Sequence, residues 1–187
     1  MAVMDDAGCS PANIYEARMV RRLRNGDREA LDGLFDLYVD RVYGYARAIL
    51  GNREDAEEVA AEAFLRAFQN AASYRSDAPF HIWLFAIVRN LCRDRLRQPR
   101  LLTWTLDEAP VSSAEEEERA AIHADVRAAL NRLPREYREV LLLCDVQEWN
   151  APEAANILER SVPATKSLLY RARRALRAHL AECWSEE

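Results

Sequence analysis

The chain has 187 residues, of which half are hydrophobic and 30% are charged, and its formal net charge is −5. This composition is sufficient for a buried core, and no apolar run reaches the ~18–20 residues of a membrane-spanning helix, so we expect no membrane insertion. The N-terminal sequence lacks the charged and apolar regions of a signal peptide, which predicts a cytoplasmic protein. In that reducing compartment the scattered cysteines are expected to be free thiols: Cys9, Cys92, Cys144 and Cys183.

The chain contains five glycines alongside abundant Ala, Leu, Arg and Glu, which predicts an almost wholly helical protein. The first helix is expected from about Asn13 to Asn25, with Gly26 as its stop. Asp27 then caps a second helix that runs to Gly51. Apolar residues at helical spacing predict the buried sides of these two helices: Ile14, Met19, Val20 and Leu23, then Leu31, Leu34, Phe35, Tyr38, Val42, Tyr45 and Ile49.

A third helix, capped by Asn52, is predicted to run to about Ala72, and Ser73–Ala78 is expected to be a loop. Acidic residues fill the first turns of this helix, where the helix dipole favours negative charge: Glu54, Asp55, Glu57 and Glu58. Its buried side is predicted to consist of Val59, Ala63, Phe64 and Phe68.

The fourth predicted helix starts at Pro79 and is ended by Pro99. Its apolar stripe consists of Leu84, Ile87, Val88 and Leu91. Its remaining positions carry aromatic, amide and basic side chains: Phe80, Trp83, Phe85, Arg89, Asn90, Arg93, Arg95 and Arg97. Such side chains on one rigid helix suit the binding of phosphates and unstacked bases. A core helix with a solvated basic face is the alternative, and it is the simpler interpretation of this segment alone.

Helical periodicity fails from Gln98 to about Ala114, where prolines, serines and the start of an acidic block indicate a flexible linker. The segment Leu101–Leu106 within it is either a short docked segment or free coil. The chain therefore divides into an N-terminal domain of residues 1–98, a linker of residues 99–114 and a C-terminal domain of residues 115–187.

Helical order returns at about Glu115 and breaks at Leu133–Pro134. After a further helix, Asn150 caps the short helix Ala151–Leu158, and a turn leads to a long helix over residues 163–182. The apolar positions of this domain are Ile122, Val126, Leu130, Leu133, Tyr137, Val140, Leu141, Leu143, Leu169, Ala172, Leu176 and Leu180. The basic positions of the long helix are Lys166, Arg171, Arg173, Arg174 and Arg177. A short helix, a turn and a basic helix form the helix-turn-helix arrangement that binds DNA, although a purely structural hairpin is the alternative.

Catalysis, cofactors and metals are not expected. His179 and Cys183 could share one helix face as two metal ligands, but zinc sites need three or four protein ligands. The histidines and thiols form no acid–base or nucleophile set, which argues against an enzyme. Positive charge gathers in Arg89–Arg100 and Arg160–Arg177 against a negative total, which predicts weak DNA binding by the chain alone.

Several motifs in this order resemble regions 2 and 4 of bacterial RNA polymerase sigma factors, and the short spacing between them resembles the extracytoplasmic-function (ECF) group. The matching segments are DAEEVAAEAF at residues 55–64, FHIWLFAIVRN at residues 80–90, Leu133–Pro134, EAANIL at residues 153–158, SVPATKS at residues 161–167 and YRAR at residues 170–173. The resemblance implies an all-α protein of two small helical domains, a region 2 bundle and a region 4 helix-turn-helix. Its expected function is to direct RNA polymerase core to specific promoters and to assist promoter melting.

The resemblance also implies which residues do this work. Contacts to the largest subunits of the polymerase core fall on Asp55, Glu58, Glu62 and Phe64. Asn90 matches the residue that captures a flipped base of the minus-ten element, with Phe80, Trp83, Arg89, Arg93 and Arg97 around it. The minus-thirty-five element is expected to contact Thr165, Lys166, Ser167, Tyr170, Arg171, Arg173 and Arg174. The acidic linker would thread the polymerase active-site cleft, and an anti-sigma factor is the expected regulator.

Several positions depart from the family pattern. Ala61 replaces a common glutamine, Cys144 a common phosphate-contacting arginine and Leu168 a common basic residue. Glu159 stands where a turn glycine is frequent, and Pro163 also departs. The rival interpretation is a free-standing helix-turn-helix regulator with an N-terminal dimerisation or ligand domain, which would bind DNA tightly without polymerase.

Overall fold

The computed structural model describes residues 11–25, 27, 29–71, 74, 79–97 and 124–185, and these residues form helices and no strand. The all-α prediction is therefore confirmed. The helices are α1 (Pro11–Arg24), α2 (Glu29–Leu50), α3 (Arg53–Gln69), α4 (Phe80–Arg97), α5 (residues 124–132), α6 (Arg135–Leu141), α7 (Ala151–Leu158) and α8 (Val162–Ser185). A π-helical turn, Leu142–Val146, continues α6. None of the described helices is both long and apolar enough to cross a membrane.

Helices α1 to α4 form one bundle, and the caps predicted for it are present. The Asp27 carboxylate accepts a hydrogen bond from the Glu29 backbone N–H at 3.1 Å at the start of α2. Gly51 ends α2 with a φ of 81°, in the left-handed region that glycine adopts without strain. The Asn52 side chain then accepts a hydrogen bond from the Asp55 N–H at 2.7 Å, which starts α3.

Two residues predicted to lie in the core of this bundle are exposed, and three others are half-buried against it: Leu31, Phe68 and Ile87. Ile14 and Phe35 were expected to face inward, but their exposed fractions are 56% and 41%. Phe35 lies about 100° around α2 from the buried Leu34, at the edge of the apolar stripe, because each helical residue advances by that angle. The Phe35 ring covers Phe64 instead, with the ring centroids 4.8 Å apart.

Helix α4 has two buried faces where the sequence predicted one. Leu84, Val88 and Leu91 are buried as expected, on the side that packs against α2 and α3. Arg89 is buried as well, against Glu139 of α6 and the Ile157 oxygen of α7. Phe85 is buried between Tyr45 of α2 and Trp149, which precedes α7. The aromatic, amide and basic residues of α4 are thus divided between different environments.

In the C-terminal part, α6, the π-helical turn, α7 and α8 pack together. The predicted cap of α7 is confirmed: Asn150 and Glu153 each accept a hydrogen bond from the other's backbone N–H at 2.9 Å, a capping box. Glu159 ends α7 with a φ of 55°, which is the left-handed conformation that glycine more often supplies.

The buried side of α8 contains the predicted Ala172 and also Leu168, which the sequence did not place there. Leu168 and Ala172 are buried, whereas Leu169 and Leu176, which were expected inside, are half-buried, as is Leu180. Leu168 is therefore a core residue, so its apolar character is explained by packing. The predicted linker at residues 99–114, including Leu101–Leu106, lies outside the described residues, as does most of the Ser73–Ala78 loop.

Candidate nucleic-acid and protein interfaces

The outward face of α4 combines Trp83, Asn90, Arg93 and Arg97. Asn90 and Arg97 are exposed, and Trp83 and Arg93 are half-buried. These positions fall within one angular sector of the helix, so their amide, indole and guanidinium groups are presented in the same direction. This face can offer hydrogen bonds to a base edge, an aromatic surface for stacking and positive charge for phosphates.

An aromatic cluster supports Trp83 from behind. The ring of Phe80 lies 5.7 Å from the Trp83 ring, and the ring of Tyr74 lies 5.2 Å from it. Phe80 is 1% exposed, so it affects this face by packing against Trp83. Sequence reasoning missed Tyr74, whose only signal was an isolated aromatic residue within a predicted loop. Interlocked aromatic rings restrict the rotamers of Trp83 and so fix the position of its exposed edge.

Arg89 lies on a different side of α4 and is only 8% exposed. Its Nε donates to Glu139 Oε2 at 3.0 Å, and its Nη1 donates to the backbone oxygen of Ile157 at 3.3 Å. Sequence reasoning missed Glu139 as its partner. The available signal was an acid four residues before the buried Leu143, on the apolar face of α6. In this arrangement Arg89 is held by protein groups and is not presented to a ligand.

The surroundings of this ion pair are buried. Burial, with a contribution from Glu139, raises the pKa of the Cys92 thiol to about 12. Burial first and Glu139 second also raise the pKa of Tyr45, whose hydroxyl finds no hydrogen-bond partner among the described residues. A low-dielectric environment of this kind makes the loss of either charged partner costly.

The acidic residues of α3 are joined to α4 by Arg95, which the sequence placed on the free basic face. Arg95 Nη1 lies 3.3 Å from Asp55, and its Nη2 donates to Glu58. Glu62 accepts a hydrogen bond from Arg66 at 2.7 Å, one turn further along α3. These predicted polymerase-binding acids therefore lie in a network of alternating charge.

An open groove of about 710 Å³ runs between α3 and α4 beside these ion pairs. Leu65 lines it with 49% of its surface exposed, and the exposed Ala61 lies on the same rim. Phe64 is 5% exposed and belongs to the core below. An apolar strip flanked by charged pairs suits an amphipathic helix of a protein partner.

The first turns of α8 present an exposed polar surface made of Lys166, Ser167, Tyr170, Arg171 and Arg174. The aromatic side chain among them, Tyr170, is 71% exposed. Such a surface near the N-terminus of the second helix of a helix-turn-helix can reach base edges in the major groove.

Two residues predicted to contact the minus-thirty-five element, Thr165 and Arg173, make hydrogen bonds within the chain. Thr165 is fully buried, and its hydroxyl donates to the backbone oxygen of Ser161 at 3.1 Å. Arg173 is exposed, but it donates from Nε and Nη2 to both carboxylate oxygens of Asp145, at 3.1 and 2.5 Å. These hydrogen bonds raise the pKa of Arg173 and fasten α8 to the π-helical turn.

No group of three or more metal-ligating side chains occurs within the described ranges of the chain. His179 Nδ1 lies 3.5 Å from Glu182, one turn along α8. The side chain of Cys183, the other half of the pair noted in the sequence, lies outside the described residues.

Comparison with known families gives two matches in the same order as the two helical parts. The model of Sigma-70 region 2 matches residues 34–101, and that of Sigma-70 region 4 matches residues 123–176. The ECF RNA polymerase sigma factor SigM of Mycobacterium tuberculosis is 35% identical over 153 residues, which cover 81% of this chain and 77% of that protein. The ECF RNA polymerase sigma factor SigW of Bacillus subtilis is 28% identical over 180 residues, which cover 88% of this chain and 96% of that protein.

Two solved structures are similar to this chain in fold. CnrH, in complex with the cytosolic domain of CnrY, matches with a TM-score of 0.71 and 25% identity over 90% of this chain and 98% of CnrH. The sigma factor RpoE of Bartonella quintana, in complex with the anti-sigma factor NepR, shares the fold with a TM-score of 0.68 and 21% identity, over 80% of this chain and 96% of RpoE.

Proposed function

The chain belongs to the ECF family of bacterial RNA polymerase sigma factors, and from this premise we propose how its residues divide the work of promoter recognition. A sigma factor directs the core polymerase to promoters and assists melting. We assign residues 1–98 to region 2, residues 99–114 to the linker and residues 115–187 to region 4. The observation that carries the assignment is the pair of separate exposed faces, one on α4 and one on α8, each with base-reading chemistry.

The outward face of α4 is proposed to bind the minus-ten element. The Asn90 amide pairs with the edge of a flipped base, and the edge of Trp83 provides a stacking surface. Arg93 and Arg97 hold the neighbouring phosphates. Capture of an unstacked base offsets part of the few kcal/mol that unstacking costs, which favours the melted promoter. Phe80 supports Trp83 from the core in this proposal.

The exposed surface of α8 is proposed to read the minus-thirty-five element in the major groove. Lys166, Ser167, Tyr170 and Arg171 lie where base edges are reached, and Arg174 adds a phosphate contact. Thr165 and Arg173 are proposed to position α8 and not to contact DNA themselves, since Thr165 is buried and Arg173 is paired with Asp145. Because the linker makes the second contact effectively intramolecular, two weak DNA contacts suffice once the core polymerase holds both domains.

The groove between α3 and α4 is proposed to bind the core polymerase. On binding, Asp55, Glu58 and Glu62 would exchange the arginines that they contact within this chain for basic groups of the polymerase. An anti-sigma factor is the proposed regulator. RpoE was solved in complex with the anti-sigma factor NepR, and CnrH was solved in complex with the cytosolic domain of CnrY. We also propose that the protein is cytoplasmic, needs no cofactor and has no catalytic activity of its own.

The residue assignment is tested by Asn90→Ala in reconstituted polymerase. Loss of one base-edge contact, worth about 1–3 kcal/mol, should cut open-complex formation roughly 5- to 140-fold while leaving core binding unchanged. Permanganate footprinting measures melting, and co-purification with core measures assembly. The matched control is Asn131→Ala on α5, outside every proposed contact surface. Normal melting and normal run-off transcription by Asn90→Ala would refute the role of Asn90.

A further inference from the structure

One arginine on the exposed face of α8 is neutralised by an acid of the neighbouring π-helical turn. Arg173 lies seven residues after Lys166 and three after Tyr170, so it projects to nearly the same side of the helix as both. Its side chain is 48% exposed, and that of its partner Asp145 is 35% exposed. The ion pair is therefore part of the surface that is proposed to meet the minus-thirty-five element.

The pair has a two-point geometry. Arg173 donates from Nε to one carboxylate oxygen of Asp145 at 3.1 Å and from Nη2 to the other at 2.5 Å. Such contacts between a guanidinium and a carboxylate fix the orientation of the arginine as well as attracting it. Exposed ion pairs usually contribute little, but this bidentate geometry is the favourable exception. The Arg173 guanidinium is therefore held at Asp145 and is not available to a phosphate.

The backbone that carries Asp145 departs from a regular α-helix. Asp145 lies in the π-helical turn Leu142–Val146, after which the Gln147 N–H donates to the Leu142 oxygen, five residues back, at 2.9 Å. A turn of this width holds one more residue than an α-helical turn, and such turns are frequent at functional sites. Here it presents an acidic side chain to the exposed face of α8.

The other cations of this face are not restrained in this way. Lys166, Arg174 and Arg177 are exposed and form no ion pair within the described part of the chain. Each of them can release counterions from DNA on meeting a phosphate, whereas the pair of Arg173 and Asp145 is neutral as a unit and cannot. Asp145 thus lowers the DNA affinity of a surface that is otherwise basic.

We propose that Asp145 sets the DNA affinity of region 4 by withholding Arg173 from a phosphate contact. The proposal rests on the proposed function, since it matters only if this face of α8 binds DNA. Its consequence is that the chain alone binds DNA weakly. The core polymerase compensates, because it holds region 4 beside the promoter at a high effective concentration.

The test is Asp145→Ala in the full chain, with a DNA duplex of arbitrary sequence as the probe, because phosphate contacts are independent of sequence. Fluorescence anisotropy measures the affinity over a series of salt concentrations. Release of Arg173 should tighten binding and steepen the slope of log affinity against log salt by about 0.9, the value for one phosphate contact. The gain over the wild type should accordingly shrink by about threefold between about 50 and 200 mM salt.

Two further variants separate charge from packing. The matched control is Glu182→Ala, which removes the same charge near the other end of α8, where Glu182 lies 3.7 Å from Arg132. It should keep the wild-type slope, as should the double variant Asp145→Ala with Arg173→Ala, which removes the whole pair. If the pair serves only to fasten α8, Asp145→Ala should bind more weakly with an unchanged slope. That result would overturn the proposal, and so would unchanged binding.

Circular dichroism checks that each variant retains its helices. Asp145→Asn, which removes the charge and keeps the shape, is the second variant if Asp145→Ala does not fold, and an unchanged slope there overturns the proposal equally. Arg174→Ala, measured in parallel, should make the slope shallower by about 0.9. An unchanged slope for Arg174→Ala would count against the DNA face of α8 itself, whereas an unchanged slope for Asp145→Ala alone overturns only the role of Asp145.

Discussion

Replacement of Glu139 by glutamine is the sharpest perturbation of the contact between α4 and α6. The change keeps the shape of the side chain but removes its charge, which leaves the buried Arg89 without an ionic partner. Breaking a buried pair in this way costs about 3–5 kcal/mol. If the whole cost falls on this contact, the equilibrium constant for forming it falls by about a hundred-fold to a few thousand-fold. This figure is an upper bound, because Arg135 lies 3.2 Å from Glu139 on the same helix and that interaction is lost in the variant whether or not α4 and α6 are in contact.

Calorimetry and scattering can measure this shift. In the wild type the two helical parts are in contact and should unfold in one coupled transition. Glu139→Gln should instead show two transitions and a larger radius of gyration. The control is the double variant Arg89→Met with Glu139→Leu, because apolar replacement of a buried pair is often neutral or stabilising. It should restore the single transition. A Glu139→Gln protein with wild-type scattering and one unshifted transition would refute the reasoning.

Two further predictions concern the pH dependence of stability and the DNA face of α8. Burial raises the pKa of Glu16, but hydrogen bonds from His81 and from Tyr38, the latter at 2.6 Å, outweigh it and hold that pKa below its usual 4.5. Because the folded pKa is depressed, this stabilisation is complete above the unfolded pKa and is lost as the pH falls through the folded one. Urea unfolding between about pH 6 and pH 3 should therefore show a smaller loss of stability for Glu16→Gln than for the wild type, and equal losses would contradict the assignment. Arg174→Ala, which removes the proposed phosphate contact, should weaken holoenzyme binding to all promoter sequences and make the slope of log affinity against log salt shallower by about 1. Arg127→Ala on α5 is the control, and an unchanged slope is the contrary result.

Features that depend on neighbouring residues could be predicted from the sequence. The caps at Asn52 and Asn150 and the ends of α7 follow from hydrogen bonds within a few residues, and the structure has them as expected. The exposed basic positions of α8 were also predictable, because their helical spacing separates them from the buried Ala172. The order of the motifs indicated the family, which the comparisons confirm.

Features that depend on distant residues could not be predicted. Arg89 and Arg95 were both assigned to a free basic face, but the partner of Arg89 is 50 residues away and Arg95 is bound by the acids of α3. Spacing along one helix indicates which side chains share a face and does not indicate which element covers it. The same limit applies to Trp149, whose role depends on the approach of α2 and α4.

Run-off transcription with purified core polymerase tests the central claim most directly. Core supplemented with this chain should initiate at discrete positions on a subset of promoter fragments that core alone does not use, and the chain alone should bind those fragments weakly. Tight and specific DNA binding by the chain without polymerase, with no stimulation of core on any fragment, would contradict the account and favour a free-standing helix-turn-helix regulator.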